Sequence, residues 1–281
     1  MFKNLMRYLY YSLLDILRII KNLISRNTFI ILSPRILSLI LKKVLIFDKK
    51  NKFFFYHNVR NYSDILTVHE IFSDENYNLS ILASFDHIKK EYEEILKSKS
   101  IPLIIDCGSN IGSSSLYFSK IFNRSQIVLI EPDNKSFEFS KKNIKYQNTI
   151  FLNKVIDSEK KNVNFFSDPD DNRKSKVSKE GVNIVKSITI NEIVEKLKIE
   201  NKVPFLIKID IEGYENQLFS KNYDWIDKFK IIIIEIHDWM IPNKYNSFNF
   251  LNALVENMKI NHKRDLIISG ENLISIRIDE H

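Results

Sequence analysis

Four stretches of the chain end an apolar run in side chains able to bind a ligand or move a proton. The first is IIDCGSNIGSSSLYF, residues 104–118, where the run meets Asp106, then a turn with Gly108 and Gly112, then Ser113, Ser114 and Ser115. Glycine lets the backbone approach a ligand closely, and the helix opened by the serines presents unpaired N–H groups. The second is VLIEPD, residues 128–133, which sets Glu131 at the end of the next run with Pro132 to stop it. In open parallel sheets a nucleotide sits where a strand meets such a turn, and an acid ending the neighbouring strand accepts both ribose hydroxyls. Together the two motifs point to an adenosine-type cofactor.

The spacing is G-x-x-x-G rather than the G-x-G-x-x-G of dinucleotide enzymes, which argues against a nicotinamide. There is no G-x-x-x-x-G-K-[ST] loop, and no basic residue stands between Asp106 and Tyr117 to meet a pyrophosphate. Asp106 instead brings negative charge, which suits the sulfonium and amino group of S-adenosylmethionine.

The third stretch is LIKIDIEGYENQLF, residues 206–219, and the fourth is IIIIEIHDW, residues 231–239. Alternate strand residues share a face, so Lys208, Asp210 and Glu212 align, as do Glu235 and His237. Ionised groups in a strand buried on both sides are costly unless paired or functional. Two strands that turn polar only at their C-terminal ends make a crevice with convergent titratable groups. Lys208 has two readings, a buried ion pair with one of these acids or a contact that steadies a developing alkoxide.

These residues need a sheet to position them. The runs Leu103–Ile105, Ile127–Ile130, Thr149–Leu152, Phe205–Ile209 and Ile231–Ile236 alternate with amphipathic helical segments, the pattern of βαβ units and a mostly parallel sheet with helices on both faces. A helix near Phe248–Lys259 precedes Asp265–Ser269 and Asn272–Ile278, joined by Gly270-Glu271 as a terminal antiparallel hairpin. Residues 53–100 mix a short aromatic strand, Phe53–Tyr56, with helical material, and no internal repeat is present. The long polar insertion, residues 167–183, reads as a solvated loop or an active-site lid.

Residues 1–47 carry eight basic groups and one acid, Asp15, which accounts for the whole net charge of +7. A general nucleic-acid surface spreads positive charge over the folded domain, so none is expected here. The single cysteine, Cys107, excludes an intrachain disulfide framework and suits a reducing compartment, so a cytoplasmic location is expected. In the first segment Lys3, Arg7, Asp15, Arg18 and Asn22 fall near one helical stripe opposite a broad Leu/Ile/Tyr/Met face. Asp15 and Arg18 interrupt the apolar stretch, which argues against a signal peptide, and no window is long enough to span a membrane. The segment reads either as a helical cap packed on its own domain or a second subunit, or as a basic amphipathic helix peripheral to an anionic membrane.

The chain resembles the FkbM-type family of S-adenosylmethionine-dependent methyltransferases over about residues 60–239. The resemblance rests on NYSDILTVHEIFSDENY (61–77), DCGSNIG (106–112), IEPD (130–133), SITINEI (187–193), KIDIEGYE (208–215) and IEIH (234–237), in that order. It implies a class I methyltransferase, Rossmann-like fold; with the elements read above, the expectation is α/β, a mostly parallel seven-stranded sheet with helices on both faces and a C-terminal antiparallel hairpin, preceded by an N-terminal helical segment that lies outside the resemblance. It also implies O-methylation, often of sugars, with Asp106, Gly108, Asn110 and Gly112 on the methionine end and Glu131 on the ribose. The chain departs from the family at KVIDSEKKN (154–162), where Val155 replaces a small residue and Lys161 a glycine; Asp157 or Ser158 is the adenine candidate there.

The expected organisation is a basic helical appendage over 1–47, a cap region over 48–100 and a methyltransferase domain over 101–281. The expected reaction moves a methyl group from S-adenosylmethionine to a hydroxyl of a saccharide or glycoconjugate. His237 is the preferred base because a neutral imidazole exists at working pH, with Asp210, Glu212 and Glu235 beside it. The acidic residues and His237 match no metal-binding spacing, so no metal is predicted. The rival readings are an NAD(P)-dependent oxidoreductase and a non-catalytic membrane-associated protein that kept the fold. Oligomeric state, including a homo-oligomer, is left open.

Overall fold

The computed structural model describes residues 2–25, 27–168, 175–198, 200–238, 247–260, 263–269 and 271–278. The chain forms two compact units, Met1–Asn78 and Leu79–His281.

The first unit contains α1 (Phe2–Ile24), β1 (Phe29–Ile31), α2 (Arg35–Leu41), β2 (Lys43–Asp48), β3 (Phe53–Asn58) and α3 (Tyr62–Phe72). Strand β2 pairs antiparallel with both β1 and β3. Phe29, Val44, Ile46, Ile65, Val68 and Phe72 form its core. Residues 1–47 are therefore not helical throughout. Pro34 limits α2 at its start, Lys42 turns the chain at φ 54, and the alternating burial of Lys43–Asp48 is a strand period. The expected boundary at residue 47 falls inside β2, and the units part after Asn78 because β2 and β3 are one hairpin.

Helix α1 reverses the usual orientation of an amphipathic helix. Its polar stripe faces the unit: Asp15 and Asn22 are buried, Asn22 donates to Ser73 Oγ at 3.0 Å, Arg18 pairs with Asp74, and Asp15 pairs with Arg35. Its apolar stripe faces outward, with Leu13, Ile16, Leu17, Ile20 and Leu23 exposed. Specific polar partners, not apolar burial, fix this helix.

The second unit opens with α4 (Phe85–Lys97) and then alternates β4 (Ile101–Cys107), α5 (Ser113–Ile121), β5 (Gln126–Ile130), α6 (Asn134–Asn143) and β6 (Thr149–Leu152). A side sheet follows, made of β7 (Val155–Ile156), β8 (Asn162–Phe166), β9 (Lys176–Val177) and β10 (Asn183–Ile188). Then come α7 (Ile190–Lys198), β11 (Lys202–Ile209), the short α8 (Glu215–Leu218), β12 (Ile231–Glu235), α9 (Phe248–Ile260), β13 (Lys263–Ser269) and β14 (Asn272–Ile278). The main sheet has seven strands in the order β13-β14-β12-β11-β4-β5-β6. The five strands from β12 to the edge strand β6 are parallel, and β13 and β14 form the antiparallel hairpin at the other edge. This is the class I methyltransferase architecture expected from the sequence.

The turn residue Gly270 lies outside the described residues, as do residues 169–174 of the polar insertion and Trp239. The rest of the insertion is not all loop, since β9 pairs with β8. The apolar runs are long strands because both faces are covered: Leu103, Ile104 and Ile105 are fully buried, as are Leu206 and Ile207. Strand β4 is flanked by β5 on one side and β11 on the other, so the strand order reverses there. Ligands of open α/β sheets bind in the crevice at such a switch point, outside the carboxyl ends of the strands.

Candidate active site

The glycine turn is held by close backbone approach. Gly108 has φ +76, and a Cβ there would lie 1.8 Å from the backbone oxygen of Asp210. Gly112 has φ +85 and leads into α5, and Asn110 also adopts positive φ. The Gly108 and Ser109 N–H groups donate to Ile130 O, fastening the turn to the end of β5. The turn after β4 thus touches the end of β11 and of β5 together, and only glycine at 108 permits it.

Asp106 is fully buried. Its Oδ2 accepts from Ser114 and Ser115 hydroxyls, each at 2.6 Å, while Oδ1 makes no hydrogen bond and lies 3.4 Å from Lys208 Nζ. Lys208 is the cross-strand neighbour of Asp106, pairs with Asp210 Oδ2 at 3.1 Å and donates to Gly108 O at 2.9 Å. Its charge is committed to the ion pair, so the alkoxide reading of Lys208 gives way to the structural one. Ser114 and Ser115 anchor the turn as well as opening the helix.

Glu131 ends β5 with its carboxylate folded back over the turn. Oε2 accepts from the Asn110 N–H at 2.7 Å and Oε1 from the Asp133 N–H at 2.8 Å. Burial pushes its carboxyl up to about 7, against the pull of those two N–H groups. Each oxygen keeps a further lone pair for a hydroxyl donor. Asp157 and Ser158 are both buried beyond β7, and Asp157 Oδ2 accepts from Tyr214 at 2.8 Å and pairs with Lys161 at 3.1 Å. Lys161, which departs from the family pattern, thus has a partner in the residue suggested for adenine.

The titratable groups of β11 and β12 converge. His237 is 2% exposed, and its Nδ1 lies 2.9 Å from Glu215 Oε1. Its Nε2 lies 3.5 Å from Glu235, 3.7 Å from Asp210 and 3.7 Å from Glu212. Glu212 is off the strand, at φ 52, in the turn that precedes α8. Burial disfavours an imidazolium, but the bond to Glu215 and the charges of Asp210, Glu215 and Glu235 outweigh it and push His237 up to about 10. Burial and the Asp210 charge push Glu212 up to about 8; for Glu235 the Asp210 charge comes first and burial second, again to about 8. This raised basicity argues against His237 as the freely neutral base the sequence suggested, and makes its Nε2 a strong donor atom once the proton there is displaced. Glu215 was missed because counting every second residue from Lys208 stops at Glu212, whereas Glu215 lies one turn later, in α8.

The Methyltransferase FkbM domain family matches residues 106–260 of the chain. Hexuronic acid methyltransferase AglP from Haloferax volcanii is 25% identical over 167 residues, covering 58% of this chain and 68% of that protein. Among solved structures, an O-methyltransferase from Bacillus cereus in complex with SAH aligns with 13% identity and TM-score 0.37, covering 76% of this chain and 91% of that one. A SAM-dependent methyltransferase from Aquifex aeolicus aligns with 10% identity and TM-score 0.34, covering 68% of this chain and 96% of that one.

Proposed function

The chain belongs to the FkbM family of methyltransferases, and from that premise we propose that it methylates a hydroxyl group of a saccharide or glycoconjugate. Its cofactor is S-adenosylmethionine, whose sulfonium supplies an electrophilic methyl carbon. The binding crevice fits that molecule: Gly108 and Gly112 leave the turn bare, Asp106 keeps one buried oxygen without a hydrogen bond, and Glu131 retains acceptor capacity. Asp106, Gly108, Asn110 and Gly112 would hold the methionine end, Glu131 the ribose, and Asp157 or Ser158 the adenine.

One observation carries the reading. The residue whose backbone oxygen Gly108 must clear is Asp210, a member of the buried acidic cluster. Proton-accepting groups therefore stand immediately beside the cofactor turn. Methyl transfer is an in-line displacement, so orientation supplies much of the acceleration. A sugar hydroxyl is a poor nucleophile, and Asp210, whose Oδ1 faces the cluster, takes its proton as the new bond forms, since Glu212 and Glu235 are both pushed up to about 8. His237, fixed by Glu215 through Nδ1, orients the cluster. The named relative acts on a hexuronic acid, which supports a saccharide acceptor over other hydroxyls. The oxidoreductase reading has no comparable support.

The test is incubation with methyl-labelled S-adenosylmethionine and a panel of neutral and acidic saccharides, followed by identification of the labelled atom. Label on a saccharide oxygen is expected. Cofactor binding with no saccharide labelled, or label on nitrogen, overturns the acceptor assignment.

The same reading extends to the first unit, for which we propose peripheral contact with an anionic membrane through α1 and α2. Their exposed apolar residues, Leu13, Leu17, Ile20, Ile40 and Leu41, support it, as do the exposed basic residues Lys21, Lys42 and Lys43. Among the described residues no helix is long and apolar enough to cross a membrane.

A further inference from the structure

We propose that Asp210, Glu212 and His237 form a binding site for a hard divalent cation, Mg2+ or Mn2+. Each offers one donor atom, and the three atoms lie within 4.8 Å of one another. They come from two separate turns, after β11 and after β12, which is why no linear spacing announced a metal site.

Three features distinguish this cluster from an ordinary group of acids. First, the donor set is mixed and the imidazole is aimed. Glu215 fixes His237 through Nδ1, and Nε2, on a ring almost wholly buried, makes no hydrogen bond while facing Asp210 Oδ1 and Glu212 Oε2 at 3.7 Å each. A carboxylate on the far nitrogen of a histidine is the usual support for a metal-ligating ring, since it sets the tautomer and raises ligand basicity. Second, the separations suit a cation better than direct bonds. Metal–oxygen distances of about 2.1 Å put adjacent donors roughly 3 Å apart and opposite donors roughly 4 Å apart. Third, Asp210 divides its oxygens, with Oδ2 on Lys208 and Oδ1 turned to the cluster, so one oxygen is held in place for the site.

Charge points the same way. Asp210, Glu212, Glu215 and Glu235 all lie within 3.7 Å of one imidazole, and a dication would displace the protons that this crowding of acids otherwise retains. Carboxylate-rich donors with one imidazole suit Mg2+ or Mn2+ rather than a soft metal. Glu235, at 3.5 Å from the same nitrogen, flanks the three. A cation held by Asp210, Glu212 and His237 would supply Lewis-acid chemistry, lowering the pKa of a bound hydroxyl.

The experiment uses the full chain, freed of metal by chelation, with Mn2+ alone as the probe and no acceptor present. The loss of the free-ion electron paramagnetic resonance signal reports binding, so the result does not depend on the methyl-transfer assignment. One Mn2+ per chain is expected, displaced by Mg2+. Glu212→Gln and His237→Asn should each weaken binding at least tenfold, and Glu215→Gln, which supports without ligating, by roughly 10–100-fold. Glu138→Gln, an exposed acid paired with Lys141, should bind as the wild type does. Retained S-adenosylmethionine binding establishes that a variant is folded, and either ligand variant suffices. No Mn2+ bound up to about 1 mM, the weak end of useful cation sites, overturns the proposal. So does unchanged affinity in a folded Glu212→Gln or His237→Asn protein.

Discussion

The end of the main sheet and the outer face of α1 both reverse the ordinary partition of residues, in opposite directions. At the sheet end, Asp106, Lys208, Glu215 and His237 are charged or titratable and almost wholly buried. On α1, Leu13, Leu17, Ile20 and Leu23 are apolar and exposed. The buried charges have partners within the chain: Ser114, Ser115 and Lys208 around Asp106, Asp106 and Asp210 around Lys208, and four carboxylates around His237. The exposed apolar residues sit on a helix already fixed by its polar side, through Asn22 to Ser73 and Arg18 to Asp74. Buried titratable groups that converge and leave an acceptor over, as Asp106 Oδ1 does, indicate a site, whereas an exposed apolar face indicates a surface whose partner is elsewhere.

The largest effect expected from this comparison is at Lys208. Lys208→Met keeps the unbranched stem of the side chain but leaves Asp106 and Asp210 without their shared cation. Breaking a buried pair by removing one partner costs about 3–5 kcal/mol. Denaturant unfolding should show a loss of that order, and Asp106→Asn introduced together with Lys208→Met should recover part of it as a coupling energy. A loss below about 1 kcal/mol, the range of exposed pairs, would mean that this ion pair is screened like a surface one.

The contrast also explains what was legible in the sequence. The five parallel strands and the hairpin were readable because continuous apolar runs such as Ile231–Glu235 have one use in a sheet covered on both faces. The glycine turn and Glu131 were readable because backbone approach demands glycine and the ribose demands an acid at a fixed place in the topology. The raised basicity of His237 was not readable, because it depends on Glu215 and Asp210 meeting the ring across two turns. The first unit was misread for a related reason. The stretch TFIILSPRILSLILKKVLIF has apolar residues enough for either period, and pairing of β2 with β1 and β3 made its two ends strands, leaving only α2 between them helical. The face of α1 that turns inward was set by Ser73, Asp74 and Arg35, none of which lies in that helix.

An intermediate effect is expected at Glu131, which shares burial with the cluster but has neutral N–H groups for partners. Burial holds its carboxyl near 7, Asp133 adds to the rise, and Lys208 opposes it. In its proposed role the ionised form accepts both ribose hydroxyls and the protonated form does not, so cofactor binding would require loss of this proton. Affinity for S-adenosylmethionine should therefore rise with pH up to about 7 and level off above it, changing about tenfold per unit on the acid side. Titration calorimetry between pH 5.5 and 8 measures it, and Glu131→Gln should bind weakly with the slope removed. A wild-type affinity that is flat over this range, or a Gln variant that keeps the slope, would take the ribose role from Glu131.

The smallest effect on stability is expected where the residues are most apolar. Leu17→Ser and Ile20→Ser on α1 remove two large hydrophobic side chains, a change that costs about 2–5 kcal/mol in a core. Both positions are about half exposed, so each variant should unfold within about 0.5 kcal/mol of the wild type. Asn22→Ala, a polar change on the opposite side of the same helix, should cost about 1 kcal/mol because it removes the bond to Ser73. A helix in which the polar substitution costs more than the apolar ones has its apolar stripe facing away from its own fold. If anionic lipid covers that stripe, the serine variants should also lose co-sedimentation with anionic vesicles while the asparagine variant keeps it. Binding should weaken as salt rises, because Lys21, Lys42 and Lys43 act through a surface potential screened beyond about 8 Å at physiological ionic strength. Loss of more than about 1 kcal/mol in the serine variants would show that the chain covers this face itself. Unchanged stability with unchanged vesicle binding would leave the face exposed and remove lipid as its partner.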